Sequence, residues 1–137
     1  MKLYHGSMIE HLAISNSGTG LGYNFGAMFF ARTYGTAKGY GDYVYQCEVD
    51  DNAIFTNGDL PYLEDGAAGT ALREVMAERG IDEIHFALCW QAVVSEELDF
   101  QEREDWADLL GMDEDDAGWE AQSMRIAFAR KLGFKAV

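Results

Sequence analysis

The first residues suited to chemistry stand at the start of the chain, where His5 is followed by Gly6 and Ser7. Lys2 to His5 is predicted to form a short strand that ends at Gly6 and Ser7. A histidine at the end of a strand and before a glycine points into a cleft, where the backbone is free to touch a ligand. The alternative is a histidine whose hydrogen bonds are purely local.

A glycine-rich loop from Ser15 to Gly22 suggests a phosphate site, but its spacing does not fit one. Gly18, Gly20 and Gly22 alternate, whereas the dinucleotide pattern G-x-G-x-x-G requires a glycine where Tyr23 stands. No clear helix follows the loop, and no P-loop lysine follows it either. The sequence therefore excludes Rossmann and Walker sites.

A second cluster combines aromatic residues with a strand and a short helix. Ala27 to Ala31 (AMFFA) is predicted to be a buried strand, and Thr33 is predicted to cap a short helix that reaches Gly39. Together with the His5 segment, this arrangement resembles the ADP-ribosyltransferase family. The similarity is to the branch that includes the poly-ADP-ribose polymerases and diphtheria-like toxins.

The resemblance assigns roles to these two segments. In that branch, a Tyr/Trp-His-Gly-Ser/Thr strand end holds NAD, which implies that His5, Gly6 and Ser7 bind NAD here. A strand like G-x-Y-F-A and a helix ending in A-x-Y supply two aromatic rings that sandwich the nicotinamide.

Phe29 stands at the first of these aromatic positions, and Tyr40 stands at the second. Tyr40 is one residue off the usual spacing from Ala37, so Tyr34 is a rival for its role. Arg32 could reach the pyrophosphate of NAD, because arginine suits phosphate oxygens; the alternative is a solvated loop charge.

Further motifs resemble the phage-borne anti-CRISPR ADP-ribosyltransferases. They are the start Leu3-Tyr4-His5, the helix start Trp119-Glu120-Ala121-Gln122 and the late segment Leu132-Gly133-Phe134. This resemblance implies a protein target, namely a host defence complex such as a CRISPR effector. Such a complex binds nucleic acid and is therefore basic.

Cleavage of the nicotinamide–ribose bond passes through an oxocarbenium-like state, which a carboxylate would stabilise. The leaving group is good, so we expect no metal. Aromatic faces can grip the nicotinamide, and a neutral histidine can hydrogen-bond a ribose hydroxyl. His5 and Tyr40 are therefore predicted to act in catalysis.

The family pattern places the acid on a strand after the final helix. The strand predicted here begins at Phe134, and no acid appears through Val137. We expect either a short edge strand or a natural protein that continues past Val137. Glu120 is the remaining candidate for the catalytic acid, although a carboxylate in a first helical turn also simply favours the helix dipole.

Composition bounds the class of protein. The chain has 137 residues, 48% of them hydrophobic, which fits one domain over 1–137 with a real core. Its net charge of -14 disfavours binding to nucleic acid and to anionic membranes, and favours a basic protein partner or a small ligand. The alternative is that the acids only keep the protein soluble.

Cys47 and Cys89 lie in apolar stretches and are predicted to be buried, reduced thiols. No signal peptide is visible, and no apolar run is long enough to span a bilayer. We therefore expect a cytoplasmic protein.

Tyr43 to Val49 alternates as a half-buried strand, and Ala53 to Thr56 could add another. Most acids lie between about residues 64 and 120, in predicted helices. Helix starts are predicted at Thr70, Asp82 and Asp116, with a further helix around Trp106. We predict an α+β fold: an ADP-ribosyltransferase-like split antiparallel sheet with an acidic helical insertion.

The predicted function is NAD-dependent mono-ADP-ribosyl transfer to a protein. Two alternatives remain open. One is a catalytically idle module that binds NAD or protein, because the acid is not evident. The other is an NAD hydrolase that acts as a toxin.

Overall fold

A computed structural model describes residues 1–8, 10, 19–20, 23–24, 30–56 and 65–137. The chain divides into two compact units, Met1–Ile54 and Phe55–Val137. The first contains all the strands of the described residues, and the second contains the longer helices.

Two antiparallel pairs of strands form the first unit. Strand β1 (Lys2–Ser7) pairs with β4 (Tyr43–Glu48), and β2 (Thr19–Gly20) pairs with β3 (Tyr23–Asn24). The predicted strand from Tyr43 is confirmed, although it ends at Glu48 rather than Val49. The prediction that Gly6 and Ser7 end β1 is wrong, because both residues still pair with β4.

A short helix, α1 (Tyr34–Lys38), lies between these strands in the sequence. The predicted cap is confirmed, because the side chain of Thr33 accepts a hydrogen bond from the backbone N–H of Thr36 at 3.2 Å. Of the strand predicted over 27–31, residues 27–29 lie outside the described part of the chain. Ala31 forms an isolated antiparallel bridge with Tyr4.

The second unit is helical. Its elements are α2 (Gly66–Glu78), a 3-10 turn (Glu83–His85), α3 (Phe86–Cys89), a π-helix (Trp90–Ser95), α4 (Phe100–Leu110) and α5 (Glu114–Lys131). Large apolar side chains form its core, among them Phe55, Leu72, Val75, Met76, Trp90, Trp106, Met124 and Phe128. Trp90 and Trp106 are therefore core residues, whereas Trp119 is half-buried.

Acidic residues begin several of these helices. Asp82 accepts a hydrogen bond from the N–H of Ile84, as the predicted helix start requires, but the side chain of Ile84 is 80% exposed and does not join the core. The predicted starts at Thr70 and Asp116 are wrong. Helix α2 already begins at Gly66, and Asp113 caps α5 by accepting from the N–H of Asp116.

The two short strands predicted at 53–56 and 134–137 are not formed. Ala53 ends a 3-10 turn that begins at Asp51, and residues 134–137 follow helix α5 without a strand. One backbone hydrogen bond, 2.8 Å from the N–H of Phe55 to the carbonyl of Ala136, connects these segments. So few pairing residues do not make a ladder.

The strands and helices together confirm the predicted α+β class. Among the described residues, no helix has both the length and the apolar character needed to cross a membrane.

Candidate active site

His5 lies in the middle of β1, half-buried, between two aromatic residues. Tyr45 stands directly opposite it on β4. On its other side, the ring of Phe30 lies 5.6 Å from the imidazole, centroid to centroid, at an interplanar angle of 57°. The imidazole is therefore flanked by aromatic residues from both neighbouring segments.

The strand pairing explains why Phe30 meets His5. Tyr4 and Ala31 exchange two backbone hydrogen bonds, of 2.8 and 2.6 Å, so their side chains share one face. Successive residues of an extended chain alternate between faces. Phe30 and His5, the next residues along each segment, therefore face each other on the opposite side.

Tyr45 is held by a contact of its own. Its phenol O–H donates a hydrogen bond to the backbone carbonyl of Glu10. This bond ties the segment after β1 to β4, and it fixes the ring that stands across from His5.

Helix α1 lies on the other face of β1, against Gly6. A Cβ added to Gly6 would lie 1.8 Å from the backbone oxygen of Ala37. Only a glycine permits this approach, so the absence of a side chain at Gly6 has a packing reason.

The two candidate tyrosines lie on or next to α1. The ring of Tyr34 packs edge-on against Tyr4, with ring centroids 6.2 Å apart. Tyr4 and His5 are consecutive strand residues, so Tyr34 is on the face opposite His5. Tyr40 follows the helix and is 75% exposed.

The remaining candidates in this unit differ in burial. Ser7, at the end of β1, is buried, whereas Arg32 is exposed before the helix. Phe29 lies outside the described residues.

The structure thus adds two aromatic residues to the site predicted from sequence, Phe30 and Tyr45. The sequence contains two neighbouring phenylalanines in this segment, and of these only Phe30 belongs to the described residues. The pairing of Ala31 with Tyr4 places Phe30 on the His5 face.

Glu120 belongs to the helical unit and lies in the second turn of α5. The expected helix start at Trp119 and the first-turn position of Glu120 are therefore wrong, because the helix already begins at Glu114. Its Oε1 accepts a hydrogen bond from Nε of Arg79 at 2.7 Å, and Nη2 of the same guanidinium donates to Oγ of Ser123 at 3.0 Å. Arg79 and Glu120 also line a groove of about 450 Å³ in this unit. His85 lines the same groove.

The His5 face has the chemistry of a site for a flat ring and a sugar. An aromatic ring can stack on a planar heterocycle, and an imidazole can both donate and accept a hydrogen bond. In the described ranges, no three His, Cys, Asp or Glu side chains come together as metal ligands.

Comparison with known proteins places the whole chain in one family. Neither a curated protein nor a solved structure matches it. A family model does match, over residues 1–137, and its description is Anti-CRISPR Type I-F ADP-ribosyltransferase AcrIF11. The match spans both compact units and agrees with the resemblance seen in the sequence motifs. The chain is therefore a transferase, and it belongs to the anti-CRISPR type I-F ADP-ribosyltransferase family.

Proposed function

We propose that this protein binds NAD on the His5 face of the β1–β4 sheet and transfers ADP-ribose to a protein of a type I-F CRISPR effector complex. The observation that carries the proposal is the contact between His5 and Phe30, at a ring distance of 5.6 Å. It joins a hydrogen-bonding side chain to an aromatic surface, and Phe30 remains 38% exposed for stacking.

Three side chains act on the sugar and on the nicotinamide. The imidazole of His5 holds a ribose hydroxyl by a hydrogen bond. Phe30, which is on the His5 face, stacks on the nicotinamide as the first aromatic, a position that the sequence assigns to Phe29. Tyr40 is the second aromatic, with Tyr34 as its rival. Tyr40 is the more exposed of the two, at 75% against 57%. Its Cβ lies beside Gly6, on the α1 side of β1, so its ring has to reach the ligand from that side.

Other residues of the first unit hold the rest of the NAD molecule. By the motif they form with His5, Gly6 and Ser7 are our candidates for further contacts to NAD. Arg32, exposed just before α1, offers a guanidinium to the pyrophosphate.

The reaction exchanges one bond at C1′ of the nicotinamide ribose for another. The glycosidic C1′–N bond breaks, and nicotinamide leaves with the bonding electrons, which neutralise its ring nitrogen. A nucleophile of the target protein then bonds to C1′ and loses its proton. Between these events C1′ carries positive charge, which a carboxylate stabilises. Glu120 is our candidate for that carboxylate.

The charge of the chain fits a basic protein as the acceptor. A net charge of -14 repels the phosphates of nucleic acid but attracts the basic surfaces of proteins that bind nucleic acid. The protein would meet such a complex in the bacterial cytoplasm.

The proposal is tested by calorimetric titration with NAD and by transfer of labelled ADP-ribose to a purified type I-F effector complex. We expect NAD to bind with or without EDTA, and we expect the label to appear on one protein of the complex. His5→Ala should weaken NAD binding and slow transfer together. His85→Ala, which removes a half-buried histidine of the other unit, should leave NAD affinity unchanged.

Three other results would contradict the proposal. NAD that binds without turnover indicates an idle module. Nicotinamide release without label on any protein indicates a hydrolase. If calorimetric titration with NAD gives no heat and NAD does not shift the thermal unfolding temperature, the protein does not bind NAD.

A further inference from the structure

A groove of about 450 Å³ in the helical unit has an apolar wall. Ile81, Leu109, Leu110 and Met112 form that wall, and the polar lining residues include Arg79, Asp82, His85 and Glu120. Met112 stands between α4 and α5 with 43% of its surface exposed, so an apolar side chain is open to a partner at the edge of the groove.

The segment that carries Met112 is strongly acidic. Residues 99–116, which comprise α4, the connection and the first turn of α5, hold nine acidic residues and one basic residue. Asp108 and Asp113 are exposed on either side of the groove residues Leu109, Leu110 and Met112. The cationic group in the groove lining, Arg79, is already paired with Glu120 at 2.7 Å.

The signs of these charges decide between possible occupants. A second copy of this chain would bring the same negative charge and be repelled. A phosphate-bearing ligand would meet the same repulsion. A protein segment with a lysine or arginine next to an apolar side chain satisfies both the acidic surroundings and the apolar wall.

We propose that this groove, whose described lining residues all belong to the helical unit, is a docking site for a basic segment of the protein target. This inference rests on the proposed function, because that function supplies the protein target. The apolar side chain of the segment packs on Met112 and the leucines, and its basic side chain lies among the carboxylates. Docking here increases transfer because it holds the target next to Glu120, the candidate catalytic carboxylate in the groove lining, whereas Met112 and the leucines only bind the segment and take no part in the chemistry on NAD.

The test measures three quantities on the full chain: binding to the purified type I-F effector complex without NAD, labelling of that complex, and NAD affinity. Met112→Lys places a positive charge at the groove, and Met112→Ser removes the apolar contact. Phe100→Lys is the matched control. It adds the same charge at an exposed apolar position of the same acidic segment, but it does not line the groove.

We expect Met112→Lys to weaken binding and to slow labelling about 10-fold or more, with Met112→Ser showing a smaller loss. Phe100→Lys should change both less than about twofold. NAD affinity should stay at the wild-type value in all three variants. Thermal unfolding of each variant shows that the helical unit remains folded.

Three results would overturn the inference. One is equal losses for Met112→Lys and Phe100→Lys, which show that only overall charge matters. Another is normal binding and labelling by both Met112 variants. The third is a wild-type protein that does not bind the complex at all. Binding to the complex is measured without NAD, so it does not depend on transfer. A wild-type protein that binds the complex but never labels it therefore contradicts the proposed function, and the binding data still test the docking site.

Discussion

The guanidinium of Arg79 holds Glu120 through a 2.7 Å hydrogen bond from Nε to Oε1. Both side chains are partly buried, with 28% and 24% of their surfaces exposed. Glu120 is therefore held in one orientation, and its charge is offset by a cation. A catalytic acid and a purely structural ion pair would both show this contact, but the two roles respond differently to substitution.

Glu120→Gln separates these roles. Glutamine keeps an oxygen that can accept from Arg79 but lacks the negative charge that stabilises an oxocarbenium. We expect NAD affinity to stay nearly unchanged and single-turnover transfer to fall by about 10² or more. Glu78→Gln is the control, because Glu78 is also ion-paired, with Lys131, and has no proposed role in catalysis. Normal turnover in Glu120→Gln would show that the acid lies elsewhere.

Substitutions of Phe30 test the aromatic contact beside His5. Phe30→Ala should weaken NAD binding about 2- to 12-fold, because an aromatic stacking pair contributes about 0.5–1.5 kcal/mol. Phe30→Tyr keeps the ring and should bind nearly as the wild type does. Phe100→Ala, an exposed ring in the other unit, should not change the affinity measured by calorimetry. If Phe30→Ala binds NAD normally, nicotinamide does not stack on this ring.

A pair of glycines tests the packing of α1 on β1. Gly6→Ala places a Cβ 1.8 Å from the carbonyl oxygen of Ala37, so the helix must move. We expect a loss of about 1–3 kcal/mol in the free energy of unfolding, together with weaker NAD binding. Gly118→Ala, in helix α5, meets no atom within 4 Å and should raise stability by about 0.5–1 kcal/mol. Denaturant unfolding measures both, and a neutral Gly6→Ala would contradict this close contact.

Arg125 is a buried cation at the centre of the helical unit. Its Nη1 donates to the carbonyls of Val93 and Val94 at 2.9 and 2.6 Å, and its guanidinium stacks on Phe55 at 4.4 Å. Burial lowers the pKa of this guanidinium, and Glu96 partly opposes that effect. The arginine thus satisfies carbonyls at the end of the π-helix.

Arg125→Met should reduce the free energy of unfolding by about 2–4 kcal/mol, since it leaves buried carbonyls without a donor. Arg103→Met is the matched control, because Arg103 is exposed on α4; we expect a change within about 0.5 kcal/mol. Denaturant titration of both variants tests this. If Arg125→Met is as stable as Arg103→Met, other donors bond the carbonyls of the π-helix.

Cys89 should be unreactive in the folded protein. Burial raises the pKa of its thiol from 9.0 to about 12, so the reactive thiolate is scarce near neutral pH. In Cys47→Ser, a thiol reagent at pH 8 should label Cys89 only after unfolding. Rapid labelling of the native variant would contradict this burial.

The same shift makes stability depend on pH. The folded protein favours the neutral thiol of Cys89. The contribution of this buried thiol to the free energy of unfolding is fully present below pH 9 and is lost as the pH rises toward about 12, because the thiol of the unfolded chain ionises first. In Cys89→Ala, the free energy of unfolding should fall less steeply between pH 9 and pH 12 than it does in the wild type.

The sequence alone predicted those helix starts and that strand which depend only on neighbouring residues. Thr33 and Asp82 identify helix starts because their side chains can bond a backbone N–H two or three residues later. Alternation over 43–49 identified β4. The helix starts expected at Thr70 and Asp116 were wrong because the backbone enters the helical conformation earlier, at Gly66 and after Asp113. Both predictions chose a polar residue that lies inside its helix.

The candidate site also has one part that the sequence suggests and another that only the tertiary structure reveals. His5 is a candidate from its residue type and motif alone, and the family match over 1–137 shows the family to which the chain belongs. Only the tertiary structure decided that Phe30 and Tyr45 flank it, that α1 needs Gly6, and that Arg79 holds Glu120. These contacts join residues up to 41 positions apart. Strand register and helix packing create them, and neither leaves a signal in the sequence near the residues involved.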